Sequence, residues 1–163
     1  MNHMITLYGS QFILRKAALP DVEVILQQRR KMYLDMGYRN EDALKEMIIN
    51  CRGFLPRLIA EGKYHGWLLE RDTREIVGGG GIFLYDGLPT PSDPQTNRPL
   101  IMNVYTEPAC RRKGLARLLM GTMLDWCRER GFRSVVLHAS DEGRPLYESL
   151  GFEQTSEMRL KLQ

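Results

Sequence analysis

Between Leu100 and Arg130 the chain sets a strand-like run, a turn crowded with positive charge and a strongly amphipathic helix directly after one another, and this succession limits the possible folds most. Leu100 to Thr106 reads as a strand. Leu115, Leu118, Leu119, Met123, Trp126 and Cys127 share one face of a helix predicted over Gly114 to Arg130 and ended by Gly131. Between the two stand Arg111, Arg112 and Lys113, with Arg117 in the first helical turn. Helix N-termini already carry a positive dipole end and unpaired N–H groups, so bases are unfavourable there. From Pro108 through Leu124 there are four bases and no acid. Gly114 removes the side chain that would keep a ligand from the backbone. A local rule broken in this way points to an anion that the turn is built to hold, in particular a phosphate. The competing reading is a solvated cationic face, and the position between strand and helix favours the anion.

The remaining elements follow from periodicity and turn chemistry. Gln11 to Lys16 reads as a strand, and Pro20 to Met36 as a helix whose apolar stripe is interrupted by Arg29 and Arg30. A second helix is predicted over about Asn40 to Ala60, bent or divided at Gly53 and Pro56. Tyr64 to Glu70 and Glu75 to Tyr85 suit an antiparallel hairpin, and Asp86 to Pro99, with its prolines, reads as a long loop bordering the substrate site. Arg133 to Ala139 is predicted as a strand, Pro145 to Leu150 as a short helix, and Phe152 to Leu162 as a final strand with Met158, Leu160 and Leu162 alternating.

The length of 163 residues with 43% hydrophobic content implies one domain over 1–163. No apolar run approaches the roughly 20 residues of a membrane helix, and no secretory signal is visible, so the expected location is the cytoplasm. Cys51, Cys110 and Cys127 form no CxxC pair, which argues for reduced thiols and against a metal site. A net charge of +3 is too small for a nucleic-acid partner.

Arg111-x-x-Gly114-x-Ala116, preceded by Pro108 and the strand Asn103 to Thr106, resembles the cofactor motif of the GNAT superfamily of acyl-CoA-dependent N-acetyltransferases. Downstream, Leu146-Tyr147-Glu148-Ser149-Leu150-Gly151-Phe152 looks like that family's LYExLGF element. The resemblance is specific over about Leu100 to Phe152. It implies an α+β fold with a central, mostly antiparallel mixed sheet flanked by helices, and a splayed strand pair that holds acyl-CoA. It further implies acetyl-CoA as cosubstrate with coenzyme A as product, a small-molecule or peptide amine as acceptor, and a homodimer as a common assembly.

Carried over residue by residue, the resemblance gives main-chain groups of Val104, Tyr105 and Thr106 to the pantetheine arm. The pyrophosphate falls on Arg112, Lys113, Gly114, Leu115, Ala116 and Arg117, with Arg111 in the same turn reaching either the 3′-phosphate or solvent. Tyr147 takes the place of the general acid, against the competing reading of a core tyrosine beside Leu146, Leu150 and Phe152. Where relatives carry an asparagine after the preceding strand, this chain has Ser140 and Asp141, either of which is a candidate for cofactor contact, with Arg144 nearby.

Acyl transfer to nitrogen needs donors for a developing oxyanion and stabilisation of a departing thiolate. Reference pKa values of about 10 for tyrosine and 8.5 for a thiol make full proton transfer uphill by roughly 2 kcal/mol, so hydrogen bonding to sulfur matters as much as transfer. An alkyl amine is only about 0.1% neutral at pH 7, yet no base is evident: Val135 to His138 carries no carboxylate, Glu107 lies at a strand exit, and His138 reads as structural. Gly78 to Gly81 lacks the spacing and following helix of a dinucleotide fingerprint and reads as room for a bulge, another backbone or the acceptor. Arg29, Arg30 and Tyr33 are candidates for the acceptor pocket. A non-catalytic acyl-CoA-binding regulatory module is the alternative function, disfavoured by the retained Tyr147.

Overall fold

The structure, a computed structural model, describes residues 3–7 and 9–162; Met1 and Gln163, the ends of the expected domain, lie outside the described residues. Strands β1 (His3–Leu7), β2 (Ser10–Lys16), β3 (Tyr64–Arg71), β4 (Ile76–Asp86), β5 (Asn97–Thr106) and β6 (Val136–Leu137) form one sheet in sequence order. All neighbours are antiparallel except β5 and β6, which run parallel. Helices α1 (Val22–Asp35) and α2 (Glu41–Ala60) lie toward one face, α3 (Leu115–Glu129) covers the other, and α4 (Arg144–Ser149) follows β6. This is the α+β architecture expected.

Two apolar cores explain why the elements sit where they do. Leu115, Leu119, Met120 and Met123 of α3 bury against Phe12, Leu69, Val77 and Ile82, whereas Val22, Ile25, Leu26, Leu55 and Leu58 of α1 and α2 bury against Tyr64 and Leu68. Alternation along β3 therefore feeds both layers, as a sheet covered on two faces requires. A two-sided sheet also leaves little room for side chains, and β4 meets this with its glycines. A Cβ at Gly79 would overlap the Gln28 side chain, one at Gly81 the Tyr64 phenol, and one at Gly80 would lie 3.0 Å from Met123 Cε. The glycine run makes room for protein side chains from both layers rather than for an acceptor directly.

Four expectations need correction. A strand not expected from the sequence, β1, pairs with β2 from His3↔Leu14 to Leu7↔Ser10. Helix α2 is not divided at Gly53 or Pro56: Leu44 is buried before that point and Leu55 and Leu58 at or after it, and Asn40 Oδ1 caps the start by accepting from Ala43 N–H at 3.1 Å. The strand predicted over Arg133 to Ala139 shrinks to Val136–Leu137, because β5 offers it only Leu100 and Ile101 before turning away. Finally, Phe152 to Leu162 is not a strand. Met158, Leu160 and Leu162 are exposed, and period-two alternation builds a strand only where a neighbour supplies hydrogen bonds.

The divergence of β5 from β6 begins at a bulge. Gly79 pairs with Tyr105 and Gly81 with Met102, so Gly80 alone faces both Asn103 and Val104. Asn103 absorbs the extra residue at φ 57°, a left-handed conformation that asparagine tolerates better than most residues. Beyond Ile101, among the described residues, β5 has no strand partner on its β6 side, which leaves the splayed edge that the fold class anticipated.

Candidate active site

Main-chain alternation decides what the open edge presents. Glu107 donates its N–H to Val77 O at 2.8 Å, and with the Thr106↔Gly78 and Tyr105↔Gly79 register this turns the main-chain groups of Tyr105 toward β4. Those of Val104 and Thr106 then point to the open side. Thr106 O is already taken by Arg111 Nε at 3.0 Å. The Tyr105 side chain is buried, and burial first, then the carboxylate of Glu107, pushes its phenol up to about 12.

After the strand, the 3-10 turn Pro108–Cys110 leads into a bend with two left-handed residues, Arg112 at φ 59° and Gly114 at φ 70°. Gly114 caps α3 by accepting from Leu118 N–H through its carbonyl. Among the described residues, the N–H groups of Gly114, Leu115, Ala116 and Arg117 have no acceptor. Arg112 is exposed and unpaired among those residues. Lys113 Nζ donates to Ala109 O at 3.1 Å, and Arg117 Nη2 to Ser149 Oγ at 2.7 Å. Arg111 behaves differently from its neighbours. Its guanidinium reaches back to Thr106 O and Asp35 and sits over the Tyr105 ring, so it fastens the turn to β5 and the end of α1. Four free N–H groups at a dipole's positive end, beside an unpaired arginine, have the donors that a diphosphate requires.

Tyr147 lies on α4, which the Arg117–Ser149 bond ties to α3. Its ring packs edge-on to Phe152 with centroids 6.1 Å apart, and burial raises its phenol above the usual 10. The ring also lies against Gly143, where a Cβ would come within 2.8 Å of Cε2. Ser140 Oγ accepts from Gly143 N–H at 3.2 Å and so shapes the turn before α4, while Asp141 is exposed. His138 is exposed, 3.6 Å from Glu157, and Glu107 accepts from Lys31 at 2.6 Å and Tyr105 at 3.3 Å. Neither is an uncommitted base.

Beside the bulge, on the α1 and α2 side of the sheet, is a cavity of about 160 Å³ lined by Ile25, Leu26, Leu55, Leu58, Phe83 and Met102, with Arg29, Cys51, Phe54, Tyr64 and Asn103. Arg29 Nη1 donates to Asn103 Oδ1 at 2.6 Å, and Asn103 Nδ2 donates to Tyr64 Oη at 3.2 Å. Arg29 was anticipated here. Arg30 instead turns outward to Glu41 at 2.6 Å, Tyr33 stacks under the Arg29 guanidinium, and no residue of the 86–99 loop reaches the wall. That loop is anchored elsewhere, through Asp93 to Ser134 and Gln95 to Gly131 O. Tyr64 and Asn103 were missed, although a polar asparagine inside an apolar strand, opposite four glycines, is the signal that could have found them. A second, open cleft of about 540 Å³ is walled by Val135 to Ala139, Tyr147 and the 152–159 segment.

An open strand edge, a cationic helix start and a half-buried phenol on α4 define a CoA-type acyltransferase site. The comparisons agree. The Acetyltransferase (GNAT) family model matches residues 25–152, and the chain belongs to this family of acetyl-CoA-dependent acyltransferases. A GCN5-related N-acetyltransferase from Ralstonia eutropha is 32% identical, with a TM-score of 0.87, over 93% of this chain and 98% of that one. A predicted acetyltransferase from Clostridium acetobutylicum, solved with acetyl-CoA, is 28% identical with a TM-score of 0.82, over 93% and 96%. Among curated proteins, the uncharacterized N-acetyltransferase YjgM of Escherichia coli is 36% identical over 90 residues, 53% of this chain and half the length of that relative. Among the described residues no helix is long and apolar enough to cross a membrane.

Proposed function

We propose that this chain transfers the acetyl group of acetyl-CoA to the amine of an acceptor held in the cavity beside Asn103. The observation that carries this reading is the bulge at Asn103. It joins the acceptor-sized cavity on one side to the open β5 edge on the other, and that edge leads directly to the free N–H groups at Gly114 to Arg117.

In this reading Val104 and Thr106, whose main-chain groups face the open side, pair with the pantetheine arm as an added strand would, while the Tyr105 main chain is committed to β4. The turn from Arg112 to Arg117 takes the pyrophosphate, with Arg111 bracing it through Thr106 and Asp35. The amine nitrogen forms a bond to the thioester carbonyl carbon, the carbon–sulfur bond breaks, and the proton lost by the amine goes to water. Tyr147 donates a hydrogen bond to the departing sulfur. Its burial raises the phenol pKa, which keeps the donor hydrogen in place at neutral pH and makes hydrogen-bond stabilisation more favourable than full transfer. Ser140 and Gly143 act through Tyr147 by shaping the turn under its ring.

The test is free-thiol release from acetyl-CoA over a panel of amines, with acetyl-CoA affinity measured separately by calorimetry. Amine-dependent release supports the reading. Tight acetyl-CoA binding with no release for any amine would favour a regulatory binding module instead.

A further inference from the structure

The cavity beside Asn103 contains a cation with no counter-charge. On the same helix Lys31 pairs with Glu107 at 2.6 Å and the next residue along, Arg30, pairs with Glu41 at 2.6 Å. Arg29, turned inward, has no carboxylate partner among the described residues; its contacts are the Asn103 amide, the Tyr33 hydroxyl at 3.3 Å and the Tyr33 ring. Its Nε is buried and lacks an acceptor. Arg29 is half-buried, so its charge is partly withdrawn from water, and the cavity lining holds no acid to pair with it.

The hydrogen-bond directions sharpen this. A guanidinium only donates, so the Asn103 oxygen must face Arg29 and the Asn103 NH2 must face Tyr64. The Tyr64 oxygen therefore accepts, and its own O–H remains without an acceptor among the described residues. Two groups at one end of the cavity thus have only hydrogens to offer. The remaining wall is apolar, from Ile25, Leu26, Leu55, Leu58, Phe83 and Met102. A volume of about 160 Å³ is well below the roughly 300 Å³ at which drug-sized ligands begin to fit, and suits one side chain.

We propose that the acceptor is a free α-amino acid with an apolar side chain, its carboxylate held by Arg29 and Tyr64 and its side chain in the cavity. The amine then lies toward the β5 bulge. This rests on the acyl-transfer reading only for the fate of that amine; the binding claim stands on the cavity. A protein N-terminus presents a neutral peptide carbonyl where the free acid presents a charge, so the two acceptor classes are separable.

The experiment measures binding of L-leucine, L-methionine and L-phenylalanine, and of their amides, to the full chain with coenzyme A present, by calorimetry. The acids should bind roughly 10- to 100-fold more tightly than the amides, the range expected for hydrogen bonds to a charged group. Arg29→Gln should remove that preference and Arg29→Lys retain part of it, with unchanged coenzyme A affinity showing that both variants are folded. Amides binding as tightly as acids, or no acid binding at all, overturns the proposal. Thiol release on the same panel separates the two claims. Acids that bind with the stated preference while no amine raises release would uphold this inference and sink the acyl-transfer reading. Release with carboxylate-free amines alone would do the reverse.

Discussion

Gly81 and Tyr64 meet across the β3–β4 pair so closely that a methyl group on Gly81 would overlap the Tyr64 phenol. Tyr64 is buried and its hydroxyl is held by Asn103, so a shift of the ring toward the cavity would cost that hydrogen bond. Gly81→Ala should therefore destabilise the protein by about 1–3 kcal/mol, the usual cost of overpacking, and weaken acceptor binding while sparing acetyl-CoA. Denaturant melts and the two affinities check this; an unaltered midpoint would show that the cavity end of the sheet can relax.

Arg112 holds a left-handed position at the cationic turn and has no partner among the described residues, so its removal costs the fold little. Arg112→Ala should lower acetyl-CoA affinity roughly tenfold, as for loss of one charge-assisted bond, and leave kcat and the melting temperature nearly unchanged. The deficit should narrow at high salt, which screens the wild-type contact. Equal affinity in both proteins would remove the side chain from the phosphate site and leave only the N–H groups.

Arg15 bridges Asp21 and Glu70, each at 2.8 Å, and ties the start of α1 to β2 and β3. Its hydrogen bonds hold the Asp21 carboxyl below the ordinary 3.8. A carboxyl lowered on folding contributes stability above its unfolded value, and that contribution is lost as pH falls through the folded value. Asp21→Asn should cost about 1–3 kcal/mol at neutral pH. The gap between wild type and variant should begin to narrow below about pH 4, as followed by urea melts across pH; a gap independent of pH would contradict the assignment.

Cys51 lines the cavity beside Asn103 and is partly exposed, whereas Cys110 and Cys127 are buried and burial pushes the Cys127 thiol up to about 11. Iodoacetamide at pH 8 should label one thiol per native chain, Cys51, as read by peptide mass mapping. The labelled protein should retain acetyl-CoA binding and lose most acceptor turnover. Labelling that leaves turnover intact would place the acceptor elsewhere.

The parts of the site legible in the sequence were those with local causes. The bases crowded on the α3 start and the apolar face of α3 depend on neighbours within a few residues and are found where the pattern put them; the left-handed backbone of Gly114 is a local feature that the structure adds. The cavity beside Asn103 depends on partners far apart in the chain: Arg29 reaches Asn103, which reaches Tyr64. Local patterning showed only an interrupted stripe and a glycine run, and the third dimension explains both, Arg29 by turning into the cavity and Gly79 and Gly81 by admitting Gln28 and Tyr64. The false final strand has the converse cause. Met158, Leu160 and Leu162 carry the right alternation, but pairing is a property of two segments and alternation of one.

Whether the half-buried phenol on α4 assists the departing sulfur is tested by Tyr147→Phe under saturating acetyl-CoA and acceptor. The variant's kcat should fall roughly 100-fold or more, with the acetyl-CoA dissociation constant unchanged within about twofold. Because burial holds the phenol above its usual 10, wild-type kcat should show no loss from this group below about pH 10. A variant that turns over like the wild type, or that loses acetyl-CoA affinity in proportion to rate, would contradict the claim and return Tyr147 to a packing role beside Phe152.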